Sequence, residues 1–143
     1  MIKNLSDYFR PDLEIFLDTL DYKRIENKNK GIEKEITLLC KDNIKAAVQE
    51  DGVRIIVTRI LEFEPEGIFT LSVAFGADLT FNERKAEQKW EELNLAEEFR
   101  ESGDFVTAQL MSRISLLIGQ ITSSFGQQPI IPPLALAKKE QAQ

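Results

Sequence analysis

The sequence predicts a single α+β domain, a four-stranded antiparallel sheet of long strands followed by C-terminal helices packed on one face. Three observations carry that expectation. From Val53 to Phe81 apolar and polar residues alternate over two long runs, joined by Glu64-Pro65-Glu66-Gly67, where proline and glycine stand at turn spacing. After Phe81 the apolar period lengthens from two to the three-to-four of helices. The 143 residues are 43% hydrophobic and 29% charged, enough for one core and too apolar for a disordered chain, so residues 1–143 read as one domain.

Leu13 to Ile25 (LEIFLDTLDYKRI) fits either a strand or a helix. The β-rich context favours an edge strand, whose Asp and Lys residues discourage pairing with foreign edges. Tyr22, Lys23 and Arg24 carry nothing that separates them from ordinary edge polarity. Glu26 to Gly31 is polar and reads as a loop, and Ile44 to Glu50 (IKAAVQE) as another strand, with Asp51-Gly52 turning it into Val53. Beyond Gly67, Phe69, Leu71, Val73, Phe75, Ala77, Leu79 and Phe81 fall on one face of a strand. Ile68, Thr70, Ser72, Ala74, Gly76, Asp78 and Thr80 fall on the other, as in a sheet dry on one side. A lone glycine inside a strand, here Gly76, most often marks a bulge. Val53, Ile55 and Val57 share a face while Ile56 and Ile60 share the opposite one, so that second face needs some cover.

Glu83 to Glu101 is rich in helix formers, with Ala86, Trp90 and Leu93 on one stripe and Leu95 and Phe99 on another, which predicts a helix that bends or breaks near Asn94. Ser102-Gly103 ends it, and Asp104 is the candidate N-cap of the next. Phe105 to Phe125 is the most informative helix. Leu110, Met111, Ile114, Leu117, Ile118, Ile121 and Phe125 form a broad apolar face. The opposite side is made of small residues, Ala108, Ser112, Ser115, Gly119, Thr122 and Ser123, which permit close backbone approach. It meets either the preceding helix or the same helix in a second copy. Self-association through Ser112, Ser115, Gly119, Thr122 and Ser123 is the favoured expectation. Gly126 closes the helix, QQPIIPPLALA continues as a proline-fixed extended segment, and residues 137–143 are expected to be a mobile tail.

Composition narrows the function classes. A formal net charge of −6 without a basic cluster argues against nucleic acid, whose binding rests on neutralising phosphates. The absence of histidine removes the usual triad base and the commonest metal ligand, so no catalytic residue, metal or cofactor is expected. Glu91/Glu92 and Glu97/Glu98 read as solvated charge on polar helix sides. Cys40 has no partner for an internal disulfide, which agrees with a reducing compartment, and reads as a small buried hydrophobe. No apolar run approaches the roughly 20 residues of a membrane span. The N-terminal MIKNLSDYFRPDLE has acids where a signal peptide would have a basic and then an apolar block. A cytoplasmic protein with protein partners is therefore expected.

Two stretches carry a family resemblance. FTLSVAFGADLTF resembles the long alternating third strand of the SecB-type export chaperones, and ISLLIGQITSSFGQQPIIPPLAL resembles their long helix with its glycine-aromatic, proline and leucine close. The likeness covers about the last two thirds of the chain and is one of pattern. Asp104-Phe-Val-Thr-Ala-Gln stands where the family commonly has a cysteine-proline pair, and Asp18, Asp21 and Glu26 match no motif for contact with the SecA motor. The resemblance implies a homotetramer built as a dimer of dimers, with unfolded polypeptides as clients and SecA as a further partner. It implies a holdase that keeps non-native chains from folding in an apolar groove, in service of export. The alternative on the same fold is a dedicated adaptor for one partner, such as a toxin–antitoxin component. The candidate groove residues are the apolar groups flanking the loops: Ile36, Leu38 and Leu39 after the first, and Ile130, Ile131 and Leu134 after the last helix.

Overall fold

Four antiparallel strands form one sheet: β1 (Phe9–Ile25), β2 (Thr37–Val48), β3 (Gly52–Glu64) and β4 (Ile68–Phe81), in the order β1-β4-β3-β2. The computed structural model describes residues 2–26, 36–65, 67–125, 130, 132, 133 and 136. Strands β2, β3 and β4 follow one another as a meander, and β1 pairs with β4, so β1 and β2 are the edges.

The ambiguous N-terminal stretch is a 17-residue edge strand, longer than the sequence predicts. Its register slips between Leu17 and Thr19. This bulge places Leu17 opposite Phe75 and Leu20 opposite Val73, so two residues three apart share a face. Strand β2 begins at Thr37, seven residues before the expected start. Lys41 and Asp42 break the apolar pattern there, but Asp42 is neutralised within the sheet by Arg59 and the ladder continues through it. The β2–β3 connection is Gln49 to Gly52, closed by the Gln49 N–H donating to the Gly52 carbonyl at 2.7 Å. Only glycine fits at 52, since a Cβ would sit 1.6 Å from the Leu79 carbonyl oxygen. Gly76 marks no bulge in β4, whose pairing with β3 is regular around it. It makes room for the Phe16 ring on β1, which a Cβ would approach to 2.5 Å.

The segment after β4 is not one helix. Two 3-10 turns, Glu83–Glu87 and Trp90–Glu92, precede α1 (Leu95–Ser102). Trp90 decides this. Its ring packs 5.1–5.5 Å from those of Tyr8, Phe9 and Phe81, and its indole N–H donates to the Lys85 carbonyl at 3.0 Å, which folds the backbone back on itself. Asn94 accepts from the Glu97 N–H at 3.3 Å and starts α1, the break the two stripes predict. Helix α2 (Asp104–Ser123) is N-capped by Gly103, so Asp104 is its first residue, a carboxylate at the positive end of the helix dipole.

Helix α2 packs over β4 and β3, burying Val106, Leu110, Met111, Ile114 and Ile118 against Val53, Ile55, Val57, Leu61, Leu71 and Val73. The opposite sheet face is a mixed one. Phe16, Ile56 and Ile60 are half-buried there, among the ion pairs Arg54–Asp78 (2.7 Å) and Lys41–Glu62 (3.1 Å), with Arg54 also stacked on Phe16. Among the described residues no helix is long and apolar enough to cross a membrane.

Candidate functional site

Because α2 crosses the middle strands, its two flanks overlook the two sheet edges. At 100° per residue Ser115, Gly119 and Thr122 lie on one flank and Leu117 and Ile121 on the other, with Phe125 at the end. The Phe125 ring meets that of Tyr22 on β1 at a tilt (5.1 Å) and that of Phe69 on β4 edge-on (5.6 Å), so the second flank faces β1. No helix follows over β1 among the described residues; Phe9, Leu13 and Ile15 still pack with the core, but from Leu17 onward its helix-side residues stay open. Leu17 and Leu20 are each 49% exposed and Tyr22 42%.

Exposed apolar side chains continue around this end of the sheet. Ile36 and Leu38 start β2, Ile68 starts β4 opposite Ile25, and Phe63 packs edge-on to Phe69 at 5.0 Å. Ile68 is a β-branched residue held at φ 64°, in the left-handed region. A strained backbone carrying an exposed apolar side chain is unfavourable for stability twice over, and points to a use for that surface.

The structure brings only part of the predicted groove together. Leu38 pairs with Phe63 on the helix side of the sheet, whereas Leu39 pairs with Glu62 and faces the other way, so the two do not line one groove. Ile36 is exposed at the strand's start, and Ile130 is half-buried against α2. Ile131 and Leu134 lie outside the described residues. The sequence joins neither Tyr22, which reads as edge polarity, nor Phe125, which reads as part of the packing face of α2, to Leu17 and Leu20, whose shared face is hidden by the β1 bulge between Leu17 and Thr19.

On the other flank the chain's own C-terminal segment comes back. The Ile130 N–H donates to Thr122 Oγ1 at 2.8 Å, and Ser115 Oγ donates to the Pro132 carbonyl at 3.4 Å. Of the small-residue stripe, Ser115 and Thr122 are thereby buried, Gly119 half-buried, and Ser112 and Ser123 exposed. Ala108 and Leu116 extend the exposed part, Leu116 at 64%.

Beneath this segment lies the buried ion pair the sequence reading also passed over. Arg59 occupies an inward position of β3 between Val57 and Leu61 and grips Asp42 of β2 with two 2.7 Å hydrogen bonds. Both side chains are essentially inaccessible, at 1% and 0%. A third guanidinium N–H reaches the Pro133 carbonyl. Burial opposes the charge on Arg59, but the hydrogen bond and field of Asp42 outweigh it and raise the guanidinium pKa. Cys40, half-buried beside the pair, has its thiol pushed above its ordinary value by burial, against an opposing pull from the Arg59 charge.

Among the described residues no cluster of three or more histidine, cysteine, aspartate or glutamate side chains could hold a metal. An open cleft of about 420 Å³ beside Phe81 and Trp90 is lined by Lys85, Lys89, Glu91 and Glu92, charges of both signs on exposed turns. Glu98 accepts from the Ile2 N–H at 3.0 Å and so ties down the N-terminus.

No protein-family model matches the sequence, and no curated protein matches it. Among solved structures the chain is similar to a SecB-like chaperone of Mycobacterium tuberculosis, solved in complex with a ChAD peptide from the HigA1 antitoxin. The TM-score is 0.64 at 13% identity, over 90% of this chain and 91% of the other. The fold is SecB-like, a divergent version in sequence.

Proposed function

We propose that this protein is a holdase: it binds extended, apolar stretches of non-native polypeptides and keeps them from folding or aggregating, without chemical conversion. One observation carries the proposal. Among the described residues, seven of the eight exposed large apolar groups, Leu17, Leu20, Tyr22, Ile36, Leu38, Ile68 and Phe125, lie on β1 or around the sheet end beneath the C-terminal end of α2; only Leu116, on the outward side of α2, stands apart. A monomeric domain rarely leaves so much apolar surface at one end without a use. Beside it runs the free edge of β1, whose main chain offers hydrogen bonds to any extended peptide. Apolar burial at about 25 cal/mol per Å² together with main-chain pairing would bind many sequences with little discrimination.

Self-association belongs to the same proposal. Ser112, Leu116 and Ser123 give α2 an exposed, mostly small-residue line for a helix of a second copy, in a tetramer built as a dimer of dimers. A second copy reaching Ser115, Gly119 and Thr122 would have to displace the C-terminal segment. In an export setting the cytoplasmic assembly would hand clients to SecA, and the exposed acids Asp18 and Asp21 on β1 are the surface available for that contact. A second proposal, a dedicated adaptor for one partner, is favoured by the similar mycobacterial chaperone, which is seen with a peptide of a single antitoxin.

Light scattering on several unrelated denatured proteins separates the two. Suppression of aggregation across unrelated clients, weakened when Leu17 and Leu20 are both replaced by Ser, supports the holdase. Tight capture of one cellular partner with no general suppression supports the adaptor. Suppression that is unchanged when Leu17 and Leu20 are replaced, or neither suppression nor a captured partner, would refute polypeptide holding at this surface.

A further inference from the structure

Three hydrogen bonds on the β2 side of α2 share a property: each reaches the main chain of the C-terminal segment. Thr122 Oγ1 accepts the Ile130 N–H, Ser115 Oγ donates to the Pro132 carbonyl, and Arg59 donates to the Pro133 carbonyl. The polarity is matched to what each residue can offer. Ile130 has an N–H and meets an acceptor, whereas Pro132 and Pro133 have only carbonyls to offer and meet donors. Arg59 is aimed by its two bonds to Asp42, so the N–H that reaches the Pro133 carbonyl is held in place by the sheet itself. At Gly119 the segment passes at ordinary contact distance, since a Cβ there would lie 3.9 Å from the Ile130 carbonyl oxygen, so the helix surface has room for a small side chain. Ile130 and Leu136 are only half-buried and pack at the margin of the core.

A set of side chains that reads one N–H and two carbonyls, with shallow apolar contact, recognises an extended chain and no particular sequence. We propose that Arg59, Ser115 and Thr122 form a second polypeptide-binding site on the β2 side of α2, and that the C-terminal segment is its built-in occupant, displaced by an incoming extended apolar peptide. This rests on the polypeptide-holding function proposed above and adds its regulation. A segment tethered by a short connection competes at an effective concentration of about a millimolar. With an intrinsic Kd of about 10 μM for the segment itself, a foreign peptide would therefore bind the closed protein about a hundredfold more weakly than the open one.

The test uses the full chain and a fluorescein-labelled peptide with the sequence of residues 126–137, GQQPIIPPLALA, followed by anisotropy. In one variant Cys40→Ser is combined with Gly119→Cys and Ile130→Cys, so that oxidation locks the segment down. In a second, Ile130→Ser with Leu136→Ser loosens the segment while leaving the site intact. The reduced lock is expected to bind the peptide at least about tenfold more tightly than the oxidised one, and the loosened variant more tightly than the unmodified protein. Equal binding by oxidised and reduced forms, or by loosened and unmodified proteins, overturns the proposal; if the disulfide variant does not fold, the loosened one decides. Suppression of client aggregation, measured on the same samples, tests polypeptide holding separately. Suppression with peptide binding indifferent to the segment overturns the built-in competitor alone. Segment-dependent peptide binding without any suppression upholds the competitor and overturns the holding of foreign chains.

Discussion

Replacing Arg59 by Met removes one half of an ion pair that the sheet and the C-terminal segment close off from water. Arg59 and Asp42 are 1% and 0% exposed, so the carboxylate left behind cannot be rehydrated without opening the structure. Breaking a buried pair in this way typically costs about 3–5 kcal/mol, against a total stability of about 5–15 kcal/mol for a domain of this kind. The loss of the bond to Pro133 adds to it by loosening the C-terminal segment. Asp42→Asn keeps the shape but leaves the guanidinium without its countercharge and should cost a similar amount. The informative comparison is the double variant Arg59→Met with Asp42→Leu, which removes both charges and should be more stable than either single variant. Urea unfolding followed by Trp90 fluorescence and far-UV circular dichroism gives all three values. A single substitution costing less than about 1 kcal/mol, or a double variant no better than the singles, would show that the pair is hydrated in solution and refute the reasoning.

Other substitutions probe the two sheet faces. Gly76→Ala should cost about 1–2 kcal/mol because the new methyl displaces the Phe16 ring, and the cost should fall when Phe16 is first replaced by Leu, as a double-mutant cycle in urea would report. Ile68→Gly should raise the melting temperature by a few degrees, since it relieves a left-handed isoleucine, and should at the same time weaken aggregation suppression; a lower melting temperature would show that the side chain contributes more than the strain costs. The hydrogen bond from Arg54, aided by its charge, lowers the Asp78 carboxyl pKa against a smaller opposing effect of burial. Its folded pKa lies below its unfolded value, so the stabilisation is present above the ordinary carboxylate range and is lost as pH falls through the folded pKa. Asp78→Asn should therefore be less stable than the unmodified protein at neutral pH and approach it in acid, and a difference in melting temperature that persists unchanged to pH 2 would contradict that assignment.

The sequence by itself determined the meander, its turns, the inward face of β4 and the position of α2. Each of these depends on local chemistry: period-two alternation, a proline and a glycine at turn spacing, and an apolar stripe at helical spacing. Even the Asp42–Arg59 pair was within reach, for counting outward from the β2–β3 turn sets these residues opposite one another on inward positions. The pattern conceals it, because Lys41 and Asp42 interrupt the apolar alternation and make Ile44 look like the start of β2. Three features required the tertiary structure. The β1 bulge is imposed by pairing with β4 and gathers Leu17, Leu20 and Tyr22 onto a face that no periodicity reveals. Trp90 gives up helical geometry for an aromatic cluster assembled from the two ends of the domain, a gain in packing that outweighs helix propensity. The small-residue line of α2 is shared between an exposed half and a half covered by residues up to 17 positions further along. Periodicity reports only that a surface is suited to close contact, and the path of the chain decides what arrives there.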